Sequence, residues 1–192
     1  GAYAVTGVVN EALYQGSATG LLAVARATQA VHFSAIPEQT ATNAHGLSAT
    51  ADSGLAVGFS VLSGPASITG GTNLSFSGAG QVSVVASQPG DVNWNAAPDV
   101  TNTFGVIKAA AMVALTNLSQ TYNGAARVVT AATAPEGLAV EITYDGNAWA
   151  PTNAGAYAVT GVVNEALYQG SVTGLLAVAR ATQAIHFSAI PE

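Results

Sequence analysis

The residues able to do chemistry in this chain are few and scattered: ten carboxylates, three histidines, four strong bases and no cysteine in 192 residues. The densest group of oxygen donors is Asp91-x-Asn93-x-Asn95, with Asp99 and Asn102 close behind. This is a partial match to a calcium loop, and Ca²⁺ takes roughly six to eight oxygens, usually including a bidentate carboxylate. Trp94 and Ala96 interrupt the run, and neither the central glycine nor the distal glutamate of such a loop is present. An Asx-rich turn whose side chains bond the local backbone accounts for the same residues. Zinc needs about three or four converging ligands. His32 and His186 sit in Val/Ile-His-Phe stretches and His45 precedes Gly46, a pattern expected to face solvent or a domain seam.

Hydrolysis of a glycosidic bond needs two carboxylates across a cleft. The spacing of Glu11, Glu38, Glu136, Glu141, Glu165 and Glu192 implies no cleft and reads as solvated faces. No Gly-x-Ser-x-Gly elbow marks a nucleophilic serine. Lys108, the one lysine, could form an amide with an Asn or Asp only beside a helping carboxyl, and loss of ammonia or water from the intact mass would reveal it. The aromatics Trp94, Trp149, Tyr14 and Tyr168 fall in or beside expected loops. There they stack on a sugar, anchor a partner, or close the end of a sandwich. Asn73-Leu74-Ser75 and Asn117-Leu118-Ser119 are glycosylation sequons. No catalytic constellation and no cofactor motif emerges, so the expectation is a protein that is not an enzyme, with no cofactor, no metal, and Trp94, Trp149 and Tyr168 as the partner-binding candidates.

Composition narrows the classes further. Charged residues are 7% of the chain and the net charge is −6. Four scattered cations, Arg26, Lys108, Arg127 and Arg180, cannot neutralise a row of phosphates, which excludes nucleic acid as a partner. The hydrophobic class reaches 49%, but no apolar run approaches the roughly 20 residues of a membrane-spanning helix. The absence of cysteine removes disulfides and thiolate sites without fixing a compartment.

The elements that must position these residues alternate with period 2. Leu55, Val57, Phe59 and Val61 share a face, as do Val82, Val84 and Ala86, then Phe104 and Val106. Further on, Leu138, Val140, Ile142 and Tyr144 alternate, followed by Tyr157 and Val159. Such runs are half-buried strands. The breakers between them include Asp52-Ser53-Gly54, Pro89-Gly90-Asp91, Asn123-Gly124 and Asp145-Gly146. The last two pairs tolerate positive φ and predict tight turns. No helical period persists.

A longer period lies above this one. Residues 1–38 return as 155–192, differing only at Ala18/Val172 and Val31/Ile185. Self-similarity at a fixed offset marks a tandem array, and 154 residues is room for two small β domains. Residues 1–27 are then the C-terminal half of one kind of domain, 28–109 the other kind, 110–181 a whole copy of the first kind, and 182–192 the first strand of the next. Short linkers are expected at Ala109-Ala110-Ala111 and Ala179-Arg180-Ala181. The half-domain 1–27 should expose open edges and a bare apolar face.

Two resemblances follow from these residues. "LSATADSGLAVGFSV" (47–61), "GAGQVSVVASQPGDVNWNAAPDV" (78–100) and "FGVIK" (104–108) resemble bacterial Ig-like repeats of large surface proteins. Residues 118–181 resemble the MBG/YDG-type repeat of bacterial adhesins, through Thr121-Tyr122-Asn123-Gly124, Ile142-Thr143-Tyr144-Asp145-Gly146, Pro151-Thr152-Asn153-Ala154-Gly155-x-Tyr157-x-Val159 and Tyr168-x-Gly170-x-x-x-Gly174. The resemblances imply an all-β chain of small tandem Ig-like β-sandwiches with almost no helix, and leave a β-grasp-like order open for the second kind. They imply a stalk or fibre segment of a bacterial protein at the cell surface or outside the cell, partnered by adjacent copies of the repeat. An adhesive module for glycan or protein ligands, or a filament subunit assembled by strand exchange, is the alternative.

Overall fold

The computed structural model describes residues 1–186 and is all-β, with no helix among them. In chain order the strands are β1 (Ala2–Asn10), β2 (Gln15–Ala23), β3 (Val31–His32), β4 (Gln39–Thr40), β5 (His45–Gly46), β6 (Thr50–Ala51), β7 (Gly58–Ser63), β8 (Ala66–Thr69) and β9 (Asn73–Phe76). They continue as β10 (Gly80–Ser87), β11 (Val100–Ile107), β12 (Ala109–Ala110), β13 (Met112–Thr116), β14 (Ser119–Thr121), β15 (Thr130–Ala134), β16 (Glu141–Tyr144), β17 (Gly155–Asn164) and β18 (Tyr168–Ala179). Two compact units form: one from residues 1–37, 44–75 and 81–105, the other from 38–43, 76–80 and the chain from Val106 on.

In the first unit the period-2 pattern decides which side chains go inside. Val82, Val84 and Ala86 of β10 are fully buried, and β10 lies between β7 and β11. Leu55, Val57, Phe59 and Val61 are half-buried while Ala56, Gly58, Ser60 and Leu62 are exposed, although regular strand begins only at Gly58. Val31, Ala86 and Ala97 form one core, and the rings of Phe33 and Phe59 pack on it, tilted, with centroids 5.4 Å apart. At the edge of this core lie two buried glutamines. Gln29 Nε2 donates to Gln88 Oε1 at 2.8 Å and to the Asn95 carbonyl at 2.7 Å. Bonding of this kind is what lets an uncharged amide be buried at little cost.

The second unit holds a five-stranded sheet in the order β12-β18-β17-β16, with β14 also pairing on β18. β17 and β18 are one long antiparallel hairpin from Gly155↔Val178 to Asn164↔Gln169. Antiparallel β16 closes one side of it; β12 and β14 run parallel along the other. A second sheet, β13–β15, accompanies it. Leu115 of β13, with Leu118, Val129, Tyr144 and Ile142, packs on Val159, Leu176 and Val178. The buried Tyr144 hydroxyl accepts from the Val129 amide at 2.9 Å, which satisfies an amide that the core would otherwise strand.

Two local outcomes bear on the sequence reading. Asp145-Gly146 forms the expected tight turn: φ is 46° and 82°, and Tyr144 and Asn147 exchange backbone hydrogen bonds of 2.7 and 2.9 Å. Ala109–Ala110, expected as linker, is instead strand β12, paired as Ala109↔Tyr168 and Ala110↔Gln169. An alanine pair carries no alternation to read, and the edge of β18 makes it a strand. Of the expected strand at 182–192, residues 182–186 carry no strand and 187–192 lie outside the described residues.

The first hairpin repeats the second. β1 and β2 pair from Ala2↔Ala23 to Asn10↔Gln15, and each pair equals its counterpart in β17–β18 shifted by 154. Here, however, the sheet has two strands only, and every residue from 1 to 28 is exposed.

Candidate functional site

The residues singled out for chemistry do not converge. Asp91 Oδ1 accepts from the amides of Asn93 and Trp94, both at 2.8 Å, which makes it the keystone of an Asx turn. Gly90 precedes it at φ 76°, and a Cβ there would run into the Trp94 carbonyl oxygen. Asn93 and Asn95 turn their carbonyls toward Ala27 N and Gln29 Nε2, at 2.8 and 2.7 Å. Asn95 Nδ2 donates to the Arg26 carbonyl at 3.4 Å. Asp99 is exposed further along the loop. The turn thus holds Arg26 and Ala27, in the segment that follows β2. Among the described residues no three His, Cys, Asp or Glu form a group that could hold a metal ion.

His32 is paired in a way its sequence context does not announce. Its Nε2–H donates to Asp52 Oδ1 at 2.7 Å, because β3 and β6 pair as His32↔Thr50. Asp52 Oδ2 accepts from the Ala30 amide at 2.8 Å. The His32 bond, and after it the Ala30 amide, hold the Asp52 carboxyl below the usual aspartate range. Both side chains are exposed, so this is a surface pair. His45 lies on β5, and His186 is exposed outside any strand.

Glu165 Oε1 accepts from Ala139 N at 2.7 Å, pinning the approach to β16. Glu11, Glu38, Glu136 and Glu141 are exposed, and Glu192 lies outside the described residues. Lys108 Nζ donates to Asn164 Oδ1 at 2.6 Å, an exposed bond at the rim of the shallow hollow lined by Ala110, Val162 and Gly170. Among the aromatics, Trp149 is 76% exposed on its turn, while Trp94 and Tyr168 are half-buried.

What does converge is the apolar face of the first hairpin. Val5, Val9, Leu22 and Val24 are 51, 54, 54 and 51% exposed, whereas their counterparts Val159, Val163, Leu176 and Val178 are 0, 1, 0 and 4% exposed. The residue types are identical, and Val159, Leu176 and Val178 owe their burial to Leu115, Leu118, Val129, Ile142 and Tyr144, which pack on them. Full burial of such a side chain is worth about 1.5–3 kcal/mol, so covering each half-exposed one gains about 1 kcal/mol. A bare two-stranded hairpin is marginal in water. The first hairpin thus presents an apolar face and, among the described residues, no third strand. Sequence reasoning located this face through the repeat; it did not find the His32–Asp52 or Lys108–Asn164 pairs, whose partners lie 20 and 56 residues apart.

A family model described as MBG domain matches residues 1–28 and 111–182, more than half of the chain. No curated protein matches the sequence. Among solved structures, a protocadherin gammaB7 EC3-6 cis-dimer is 14% identical with a TM-score of 0.33, covering 93% of this chain and 60% of its own. The titin domains z1z2 in complex with telethonin are 17% identical with a TM-score of 0.30, covering 81% of this chain and 100% of that one. An endo-fucoidan hydrolase of glycoside hydrolase family 107 is 13% identical with a TM-score of 0.30, covering 95% of this chain and 34% of its own. Likeness at this level assigns no site.

Proposed function

The chain belongs to the MBG domain family, and from that membership we propose that it is a non-catalytic structural segment of a tandem-repeat stalk or fibre in a bacterial cell-surface or secreted protein. The observation that carries this reading is one hairpin formed twice, 154 residues apart, in one register. A sequence that repeats this closely and folds the same way each time is built to be stacked. In such arrays each unit contacts its neighbours, and length follows from copy number. The partners are then adjacent copies of the same repeat, and the role is mechanical spacing.

The denatured mass of the protein isolated from its natural source tests the reading. A mass many times 19.0 kDa supports a covalent array. A mass near 19.0 kDa overturns it, since the repeated ends would then belong to a short subunit.

A further inference from the structure

We infer that the five-stranded sheet of the second unit bears tension, and that its resistance resides in the parallel pairing of β12 and β14 on β18. This deepens the stalk reading and rests on it, because a stalk carries load along its backbone. The inference starts from where the chain enters and leaves the sheet. It enters at Ala109, beside Tyr168 at the start of β18, and leaves from Ala179, beside Thr121 at the other end. At roughly 3.3 Å per residue, the 12 residues of β18 set these two points about 40 Å apart. Tension along the backbone therefore draws β12 and β14 one way and β18 the other, along the strands.

Both ends of β18 resist in that direction. At the entry end the Ala109 and Ala111 amides donate to the Leu167 and Gln169 carbonyls, both at 2.8 Å. At the exit end the Ala177 amide donates to the Leu118 carbonyl and the Tyr122 amide to the Ala179 carbonyl, again at 2.8 Å. Ladder bonds lie across the strands, so a load along the strands falls on these four together. Side chains back them. Leu118, directly ahead of β14, packs on the core of Val129, Val159 and Leu176, so sliding β14 uncovers an apolar side chain. Gln120 Nε2 donates to the Asn117 and Val128 carbonyls, both at 2.9 Å, and so ties β14 to the approach to β15. Gly170 lets β12 come close: a Cβ there would lie 2.1 Å from the Ala111 carbonyl oxygen.

The other pairings of this sheet answer a load differently. β17 and β18 are antiparallel, and Gly155 faces Val178. Pulled apart from those two residues, the hairpin opens one pair at a time. Parallel pairing needs a long crossover between the strands, and residues 122–167 supply one that also forms β15, β16 and β17.

Force spectroscopy on the full chain tests the inference by direction of pull. The chain has no cysteine, so an introduced pair gives unique handles. Lys108→Cys with Ala181→Cys loads β12 and β14 against β18 in shear. Ala154→Cys with Ala181→Cys pulls the β17–β18 hairpin open from its end. Bonds that break together need more force than bonds that break in turn, so the first pair should rupture at a force at least about threefold higher at equal pulling speed. Equal forces, or a higher force for the second pair, overturn the proposal. Adding Ala109→Pro and Tyr122→Pro removes one donor at each end of β18 and should lower the shear force at least about twofold. An undiminished shear force in that folded variant also overturns it. Thermal unfolding is the folding control, and if the double variant does not fold, the comparison of directions, made on unaltered pairing, decides alone. Equal forces with a large native mass would sink this proposal and leave the stalk reading standing; a high shear force with a native mass near 19.0 kDa would do the reverse.

Discussion

Among single residues, Asp52 carries the clearest electrostatic signature. Its carboxyl is held low by the His32 bond and by the Ala30 amide. A carboxylate whose value is depressed on folding stabilises the fold above its ordinary value, near 4, and loses that contribution as pH falls through the depressed one. The pair is exposed, so its contribution to stability is small and screened by salt. The measurement is therefore a site-resolved titration by NMR: Asp52 should titrate below an unfolded-state aspartate, and His32→Ala should raise it. An Asp52 that titrates at the ordinary value with His32 present would refute the pairing. Such pairs were illegible in the sequence, because His32 and Asp52 meet only through the register of two-residue strands. The buried Gln29–Gln88 pair was hidden for a related reason: nothing in a local pattern marks one glutamine among many as interior.

At the scale of elements, the two hairpins are a controlled comparison that the chain makes with itself. Gly170→Ala should destabilise the second unit by about 1–3 kcal/mol, because the new methyl meets backbone that cannot give way. Gly16→Ala should be neutral or slightly stabilising, since alanine in open space loses less entropy on folding. Thermal unfolding of the two variants checks both; equal losses would mean that the covering strands do not approach β18 as described. Most elements were legible. Alternation at Val82, Val84 and Ala86 located β10, that over Leu138, Val140, Ile142 and Tyr144 located β16 although regular strand begins only at Glu141, and Asp145-Gly146 located a turn, because a period of 2 and a left-handed pair have direct local causes. Ala109–Ala110 was not legible, because its strand character comes from a partner, β18, and not from its own residues.

For the whole molecule, low charge and an uncovered hairpin act together. A net charge of −6 makes chains repel one another at neutral pH, and the sequence places the isoelectric point near 4.8. Open strand edges associate when repulsion vanishes. Light scattering across pH 4–8 should therefore peak near 4.8, and a chain of residues 28–192 should scatter markedly less there. Equal scattering from both chains would remove the hairpin as the adhesive element. Composition alone predicts the position of that peak. Its dependence on residues 1–27 needed the repeat to be recognised and its first copy to be seen uncovered.

The shared register of the two hairpins has a genetic consequence. Every residue of β1–β2 keeps the cross-strand partner of its counterpart 154 positions away, so recombination between the two coding stretches inside these hairpins would add or delete one whole unit and create no novel junction. A crossover anywhere within residues 2–23 and 156–177 would leave β1 beside β2 and β17 beside β18. Under the proposed repeat function, length would then change in fixed steps without altering the pairing inside each hairpin.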